Sequence, residues 1–402
     1  MTSFADRIFR RARRAARRLG GGPGLSKVVF VCYGPFDCNS AGHIAGFAAQ
    51  LAALGYRVGV AARGPVDRAY AFGEPAFEPL DIDDLAADPA GAVAFDGVLE
   101  PARTLLAAWT PRKNVRRAVA RTVKRLGIPY VVHFEDNEDH LATLRPGPDD
   151  AAARAAFVAG AAGLSYIAPR LAEVLPTAAP RILLEPGVDH AAFSRPLGPW
   201  RRAALLRAAG GAGGRDRDRL SGQHPPRQRR GDGRALPRSR PFARPGPSGC
   251  AAEDRPGRRA RRRVRGLLAR CVIALGHVER PFLLELMKCA DLFVQPGAPG
   301  PFNDYRLPSK LPEFMAIGRP VILPAANVGL SLRDGTDALL LHDGSAAEIA
   351  ARIEKVLDDP ILAVRIGGNG QAFARRTWDW PRQGRRLAAF LERVHRSARA
   401  LR

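Results

Sequence analysis

A stretch rich in glycine and proline runs into a short predicted helix and carries the clearest chemical signal in the sequence. Residues 297–323 read GAPGPFNDYRLPSKLPEFMAIGRPVIL, and Gly297 and Gly300 open the loop. Ser309 stands where an N-cap belongs, so the free amides of the next turn would face an anion in the loop. A diphosphate is the anion that this pattern favours.

Three charged residues surround this predicted helix start. Arg306 and Lys310 can add full positive charges beside a diphosphate, and Glu313 on the first turn can accept hydrogen bonds from ribose hydroxyls. The same spacing also fits an ordinary capped helix with a solvated lysine and arginine. The residues alone leave both interpretations open.

A second polar segment follows the first predicted strand. The sequence NSAGH contains Asn39, Ser40, Gly42 and His43, and it is predicted as a loop between that strand and its helix. Small residues there would bring backbone amides close to a ligand, and the histidine could point toward it. A plain strand-to-helix turn with a surface histidine is the alternative.

A third polar segment, PYVVHFEDNEDHL at residues 129–141, reads as a buried strand that opens at His133 into a cluster of acids. Glu135 and Asp136 are the first two acids of the cluster. Polar groups at the carboxyl end of a parallel strand lie at the ligand edge of an α/β sheet. An imidazole or carboxylate there could accept a proton, but helix capping and a solvated turn also explain the acids, and the pattern does not identify the base.

The elements that must position these residues alternate between strands and helices. Residues 27–64 predict a strand, a helix and a second strand, and residues 272–297 predict the same order before the glycine-rich loop. Residues 320–324 then predict a strand, 346–357 an amphipathic helix and 382–400 a final helix. This alternation indicates an α/β fold with parallel sheets.

Four segments together resemble one protein family. The loop at residues 297–310, called the donor loop from here on, and the helix after it resemble the signature of the family 4 glycosyltransferases, the group 1 or glycogen-synthase-like retaining enzymes. LEPGVDHAAF at 184–193 resembles the element that ends the first domain of that family. Residues 27–64 and 272–297 resemble its opening unit and the elements before the donor loop. The resemblance implies the GT-B fold, in which two Rossmann-like domains face each other across a cleft.

The basic N-terminal pattern and the resemblance together indicate a domain organisation. The parts are a basic amphipathic arm at 1–26, an N-terminal acceptor domain at 27–195, a C-terminal nucleotide-sugar domain at 196–380 and a C-terminal helix at 381–402 that packs back across both domains.

The activity implied is transfer of a sugar from a UDP- or GDP-linked donor to a glycan or lipid-linked acceptor in cell-surface polysaccharide or glycoconjugate synthesis. Retention through front-face attack, assisted by the leaving diphosphate, is implied, with no cofactor and no metal. The implied residues are His133, Glu135, Asp136, Arg306 and Lys310 for catalysis, Gly297, Gly300, Ser309, Lys310 and Glu313 for the donor, and Asn39, Ser40, Gly42 and His43 for the acceptor.

One position departs from the family pattern. The family often places two glutamates eight positions apart, but Tyr305 stands eight residues before Glu313, and Asp304 is one residue out of register. This difference indicates a subfamily variant. A nucleotide-sugar epimerase of the same fold is the related alternative, although the donor loop resembles the transferases more closely.

Charge is concentrated in two segments. The formal net charge of the 402 residues is +24, of which residues 1–27 supply +7 and residues 201–270 supply +16. The rest of the chain is nearly neutral, and the arginine-rich runs lack interleaved aromatic residues, so nucleic acid is not expected as a partner. The arm at 1–26 has a narrow apolar helical stripe, and it could lie on an anionic membrane surface or remain a solvated arm.

Cysteine usage and hydropathy indicate a cytoplasmic protein, with peripheral membrane contact through the arm as an option. The five cysteines are scattered without a C-x-x-C pair, which favours a reducing compartment and no structural zinc. No apolar run approaches the length of a membrane span, and the first residues lack the apolar core of a secretory signal.

Residues 207–270 do not resemble the rest of the chain. Arg, Pro, Gly and Ala dominate there, and the segment predicts disorder and an unfinished second sheet. Reading permitted codons one base later converts 215–240 into VIVIVYPGNIHPANVAEMAALYPAV and 249–257 into VVLLKTGR, two strand-like runs in the order that the fold needs. We therefore predict a compensated frameshift. A low-complexity linker is the plain alternative, and a catalytically inactive relic or scaffold is the alternative function.

Overall fold

The structure is a computed structural model that describes residues 24–64, 76–144, 151–211, 271–273, 275, 278 and 280–400. Most of the predicted arm at 1–26 and of the segment at 207–270 therefore lies outside the described residues. Within the described part, strands and helices alternate, as the sequence predicts.

Seven parallel strands form the first sheet, in the order β3-β2-β1-β4-β5-β6-β7. They are β1 Lys27–Pro35, β2 Arg57–Arg63, β3 Glu78–Asp81, β4 Thr104–Trp109, β5 Tyr130–Phe134, β6 Gly163–Tyr166 and β7 Arg181–Leu183. The continuous apolar run of β1 suits a central strand that is covered on both faces, and Val29 pairs with Gly59 on one side and Leu106 on the other. Because all these pairs are parallel, the carboxyl ends meet at one edge, called the carboxyl edge below.

Eight helices accompany this sheet in the described residues. They are α1 Asn39–Ala53, α2 Ile82–Ala87, α3 Pro89–Val93, α4 Lys113–Leu126, α5 Glu138–Leu144, α6 Ala151–Ala159, α7 Leu171–Val174 and α8 His190–Ser194. The prediction of a loop at residues 39–43 is wrong, because α1 already begins at Asn39. The Cys38 sulfur accepts from the Ala41 amide and caps the helix there, which starts it before the histidine.

Three parallel strands form the second sheet within the described residues, in the order β10-β9-β8. The remaining elements are α9 Pro199–Gly211, α10 Arg280–Lys288, β8 Phe293–Val294, α11 Leu311–Ile317, β9 Val321–Pro324, β10 Leu339–Leu341, α12 Ala346–Asp358, α13 Pro360–Thr377 and α14 Trp380–Ala400. Ile322, Leu339 and Ile366 form part of the core of this sheet. The predicted strand at 320–324 and the predicted helix at 346–357 are confirmed, and the final helix begins two residues before its predicted start.

Two predicted boundaries around the arginine-rich segment are wrong. Arg207 to Gly211 continue the helix α9, whereas the sequence predicts disorder from residue 207. Val272 and Ile273, predicted as a strand, are about half exposed and lie outside any strand. A strand needs a paired neighbour, and β8, at the edge of the second sheet, pairs only with β9 among the described strands.

The described residues divide into two compact units. One holds the residues up to Arg195 together with those from Ala290 onward, and the other holds those from Pro196 to Cys289. In the second unit, the Arg201 guanidinium lies 2.5 Å from the Glu285 carboxylate and links α9 to α10.

Within the first unit, the C-terminal helix α14 packs against α1, as the resemblance implies for the N-terminal half. The rings of Phe47 and Trp380 meet edge to face, with 5.2 Å between centroids. Gly384 lies so close to Gln50 that a Cβ there would overlap its side chain. Among the described residues, none of the helices has the length and apolar character that crossing a membrane requires.

Candidate active site

Strand β5 brings His133 into the centre of the carboxyl edge. His133 pairs in register with Trp109 on β4 and Ser165 on β6. Its ring stacks on Trp109 with 3.8 Å between ring centroids, and its Nδ1 lies 2.9 Å from the Ser165 hydroxyl oxygen. His133 is buried within β5, one residue before the strand ends at Phe134. The sequence predicts that the strand already opens at His133.

Burial makes His133 a neutral imidazole. Removal of the ring from water lowers the pKa of His133 to about 3, because the charged form loses its hydration. Its Nε2 is buried and has no hydrogen-bond partner among the described residues. A neutral imidazole can donate or accept one hydrogen bond at Nε2 when a ligand is bound, but it does not carry a positive charge at neutral pH.

Glu135 is the centre of a hydrogen-bonded cluster at this edge. Its carboxylate accepts from the Trp109 Nε1 at 2.9 Å, from the His43 Nδ1 at 2.8 Å and from the Ser40 hydroxyl. Burial alone would raise the pKa of Glu135, but the hydrogen bonds of His43 and Ser40 lower it to about 2. Glu135 therefore carries a negative charge throughout the neutral range.

The cluster fixes the tautomer of His43. A carboxylate can only accept, so the Nδ1 of His43 must carry the hydrogen that it donates to Glu135. In the neutral ring the Nε2 is then left with a lone pair that can accept a proton. A carboxylate behind an imidazole also orients the ring and stabilises the imidazolium that forms after proton transfer.

The structure therefore brings together residues that the sequence places in two separate groups. Ser40 and His43, predicted for the acceptor, share the Glu135 carboxylate, and His133 joins them through Trp109. Asn39 lies exposed at the start of α1, and the Gly42 amide donates to the Cys38 carbonyl at 3.1 Å. These last two residues serve the helix start in the structure.

Asp136 lies near enough to both Glu135 and Arg306 of the donor loop to feel their charges. Burial and the charge of Glu135 raise its pKa, while Arg306 and Arg112 lie near enough to oppose that shift. Asp136 also lines a cavity of 170 Å³ at the ends of α5, α6 and α7. The cavity is lined by acidic residues and Arg154 together with apolar side chains such as Val158.

The donor loop has its shape set by backbone. Gly297 and Gly300 have φ angles of 143° and 152°. The side-chain amide of Asn303 donates to the Ala298 carbonyl at 2.9 Å. Gly344, at φ 65°, approaches Gly297 so closely that a Cβ there would overlap the Gly297 carbonyl oxygen. Only glycine fits this contact at position 344.

The prediction of an N-cap at Ser309 is wrong. Helix α11 begins at Leu311, and Lys310 occupies the cap position without a side-chain cap. Pro312, the second residue of the helix, has no amide hydrogen, so one of the donors that a side-chain cap would satisfy is absent. Glu313 lies in the first turn, as predicted.

The charged side chains of the donor loop have different surroundings. Lys310 is exposed, whereas the Arg306 guanidinium lies 4.5 Å from the centre of the Phe302 ring. Asp304 forms an ion pair with Arg170, with 3.0 Å between nitrogen and oxygen. This pair ties the loop after β6 to the donor loop.

Sequence reasoning missed Trp109, Ser165 and Arg170. All three lie at or just after the carboxyl ends of strands, which is a signal that could have found them. Trp109 ends the apolar run TLLAAW, and its indole nitrogen needs a buried acceptor, which Glu135 supplies. The described residues contain no group of three or more His, Cys, Asp or Glu side chains that could hold a metal ion.

Comparison with solved structures defines the class of fold. Sucrose-phosphate synthase from Thermosynechococcus elongatus is 15% identical, with a TM-score of 0.60, and the match covers 92% of this chain and 100% of that one. The Anabaena protein HepE in complex with UDP-glucose is 15% identical, with a TM-score of 0.56 and coverage of 91% and 99%. A glycosyltransferase from Rickettsia africae is 10% identical, with a TM-score of 0.55 and coverage of 92% and 98%. The fold is GT-B.

The family follows from the sequence of the second half. Residues 249–359 match the family described as Glycosyl transferases group 1. The chain therefore carries a group 1 glycosyltransferase domain on a GT-B fold, which confirms the resemblance that the donor loop predicts. The match begins inside the segment at 207–270, in residues that lie outside the described part. No curated protein sequence matches the chain.

Proposed function

We propose that the protein transfers a hexosyl group from a UDP- or GDP-linked sugar to a hydroxyl of a glycan or lipid-linked acceptor. The observation that carries this proposal is the group 1 match over residues 249–359, which contains the whole donor loop and Glu313. The fold that the chain shares with HepE, solved with UDP-glucose, supports a nucleotide sugar as the donor. The reaction needs no resident cofactor or metal in this proposal.

On the donor side, backbone and cations have separate roles. Gly297 and Gly300 let the donor loop pass close to the diphosphate, and Arg306 and Lys310 stabilise the negative charge that develops on it as the sugar leaves. Glu313 accepts hydrogen bonds from the ribose, and Ser309 remains a proposed contact of the loop. An active enzyme is favoured over a relic because the family match includes this complete segment.

On the acceptor side, the Glu135 cluster supplies the polar groups. His43 offers Nε2 to the acceptor hydroxyl, Glu135 and Ser40 hold its ring, and His133 offers a hydrogen bond to the sugar. Asp136 and the cavity beside it receive the rest of the acceptor. We expect a hydroxyl-rich acceptor group there, since an anionic group would meet the acidic residues of the cavity.

The resemblance implies retention, with the leaving diphosphate assisting front-face attack, and a role in cell-surface polysaccharide or glycoconjugate synthesis. The anomeric configuration of the product, determined by NMR of the transferred sugar, tests the stereochemistry. An inverted product would overturn retention, and it would require a base beside the acceptor hydroxyl, a role for which the structure offers His43.

Donor binding tests the proposal most directly. We expect isothermal titration with UDP- and GDP-sugars to show binding, and Lys310→Ala to weaken it about tenfold, because one charge-assisted phosphate contact is lost. Lys124→Ala removes an exposed lysine from α4 and serves as the matched control. Equal affinities of the two variants, or no affinity of the parent protein for any nucleotide sugar, would contradict the donor site.

Membrane contact is a separate part of the proposal. The arm at 1–26 carries seven arginines, and it would bind an anionic bilayer largely through charge. We expect the full chain to sediment with vesicles that contain phosphatidylserine at low salt, and to be released at high salt. A chain without the arm that sediments equally well would remove the arm from this role.

A further inference from the structure

Two cysteines that the sequence leaves unconnected meet beside the candidate active site. Cys32 lies near the end of β1 and is fully buried, and Cys38 caps α1. Their Sγ atoms are 3.8 Å apart. Because Cys38 is only partly buried, a small oxidant in solvent can reach one thiol of the pair.

The surroundings give the two thiols different states. The hydrogen bond with Cys32 and the amide of Ala41, which lies 3.4 Å from the sulfur, lower the pKa of Cys38 to about 7. The shared hydrogen bond with Cys38 and burial raise the pKa of Cys32. At neutral pH, Cys38 is thus the thiol of the pair that forms the nucleophilic thiolate, and Cys32 is a neutral thiol beside it.

We propose that Cys38 and Cys32 are a modification site at which a peroxide forms an intramolecular disulfide. The Cys38 thiolate attacks the O–O bond, which gives Cys38 sulfenic acid and releases one water after protonation. The Cys32 sulfur then attacks the sulfenic sulfur, the S–S bond forms and a second water leaves. The two thiols lose two electrons, and the peroxide gains them.

The geometry requires only a short movement. A disulfide has an S–S distance of about 2.0 Å, so the two sulfurs, now at 3.8 Å, must approach by roughly 1.8 Å. We expect the movement to fall on Cys38, since it is only partly buried, whereas Cys32 is fully buried.

This movement acts on the candidate site. Cys38 immediately precedes α1, whose first five residues include Ser40 and His43, and both of these donate to Glu135. A new bond to Cys32 would displace the Cys38 sulfur that caps the start of α1. Oxidation is therefore expected to lower catalytic turnover, and a reducing thiol is expected to restore it.

The experiment is a peroxide titration of the full chain with Cys250 and Cys271 replaced by serine, which leaves buried Cys289 as an internal reference. After oxidation the chain is unfolded, alkylated and digested with trypsin, which yields one peptide, residues 28–57, with both cysteines and no internal cleavage site. We expect this peptide to resist alkylation and to be lighter by two hydrogens, and dithiothreitol to reverse both. A peptide that is still doubly alkylated, or that carries sulfinic acid on Cys38 beside an alkylated Cys32, overturns the proposal.

Single variants separate the two roles. Cys32→Ser should leave Cys38 without a resolving partner, so that it proceeds to sulfinic acid, whereas Cys38→Ser should keep its helix cap and lose the response to peroxide. In the unmodified fold, iodoacetamide should label Cys38 roughly tenfold faster at pH 7 than an ordinary thiol, a measurement that holds even if Cys32→Ser fails to fold. Labelling of Cys38 no faster than that of Cys289 would contradict the pair.

The functional consequence has its own readout. Hydrogen exchange of the first-turn amides of α1, compared between the oxidised and reduced chains, should differ, and hydrolysis of the nucleotide-sugar donor should fall on oxidation. An oxidised chain with unchanged exchange and unchanged hydrolysis would leave the disulfide without an effect on the site, and would overturn the regulatory part.

Discussion

The carboxyl edge around Glu135 and the donor loop are organised in opposite ways. At the carboxyl edge, one carboxylate receives three side-chain hydrogen bonds, from Trp109, His43 and Ser40, in a cluster of buried and partly buried side chains. In the donor loop, glycine backbone sets the shape, and Lys310 is exposed at a helix start without a side-chain cap. Substitutions at the edge should therefore affect stability and activity together, whereas those in the loop should affect activity alone.

The largest expected effect on activity concerns residues 207–270, the segment in which we predict a frameshift. We predict that sequencing the gene across codons 200–275 reveals a compensated frameshift, and that the corrected chain adds strands beside β8. The corrected protein should turn over on the order of 100-fold or more faster, because the second sheet is completed and the shifted run VVLLKTGR places basic residues after a strand, where they can stabilise the leaving diphosphate together with Arg306 and Lys310. Genomic confirmation of the arginine-rich reading, with full activity of that chain, would contradict this prediction.

At the carboxyl edge, Glu135→Ala should lower both the stability and the activity of the protein. Three donors lose their acceptor, and two of them, Trp109 and Ser40, are buried, so we expect unfolding free energy to fall by about 2–4 kcal/mol. Transfer should fall about 100-fold or more, since His43 loses its orientation. Urea denaturation and initial rates measure the two effects, and Glu354→Ala, which removes an exposed acid from α12, is the control. Loss of activity without loss of stability would show that the cluster does not hold the edge together.

At the contact between Gly344 and Gly297 of the donor loop, Gly344→Ala tests whether backbone contact alone positions the site. Its Cβ would overlap the Gly297 carbonyl, so we expect donor affinity to fall about tenfold. Gly335 has a similar φ of 69°, but a Cβ there meets only the end of the Lys355 side chain. Gly335→Ala therefore carries the same backbone strain, of about 1 kcal/mol, without the overlap. Equal donor affinities of the two variants would contradict a positioning role for Gly344.

The two regions also differ in how well the sequence predicts them. Apolar runs and their periods predict β1, β2 and α12, because a buried strand or an amphipathic helix is encoded locally. The stacking of His133 on Trp109 depends on the register between two strands, which no local pattern contains. The predicted starts of α1 and α11 are also wrong. A cysteine caps α1, and α11 has no side-chain cap and a proline in its first turn, so neither start follows the usual preference for a serine cap.

The smallest expected effect is the pH dependence of stability that His133 contributes at the carboxyl edge. The pKa of His133 lies at about 3, below its ordinary value of 6.5, so the unfolded chain binds a proton that the folded chain does not bind between these values. Stability from this group is fully present above pH 6.5, and it falls by up to about 1.4 kcal/mol per pH unit as the pH drops toward 3. Glu135, with its pKa lowered from 4.5 to about 2, acts in the same direction over a lower window.

Between pH 6.5 and 5, the His133 contribution can be isolated from that of Glu135. Burial also lowers the pKa values of His190 and His395, so the informative quantity is the difference in unfolding free energy between parent and His133→Asn chains. We expect the parent to lose more stability than His133→Asn in urea denaturation across this range. His342→Asn, with an exposed ring, should follow the parent. Parallel curves for parent and His133→Asn would mean that the ring is solvated, and the carboxyl edge would then be as open to water as Lys310 in the donor loop.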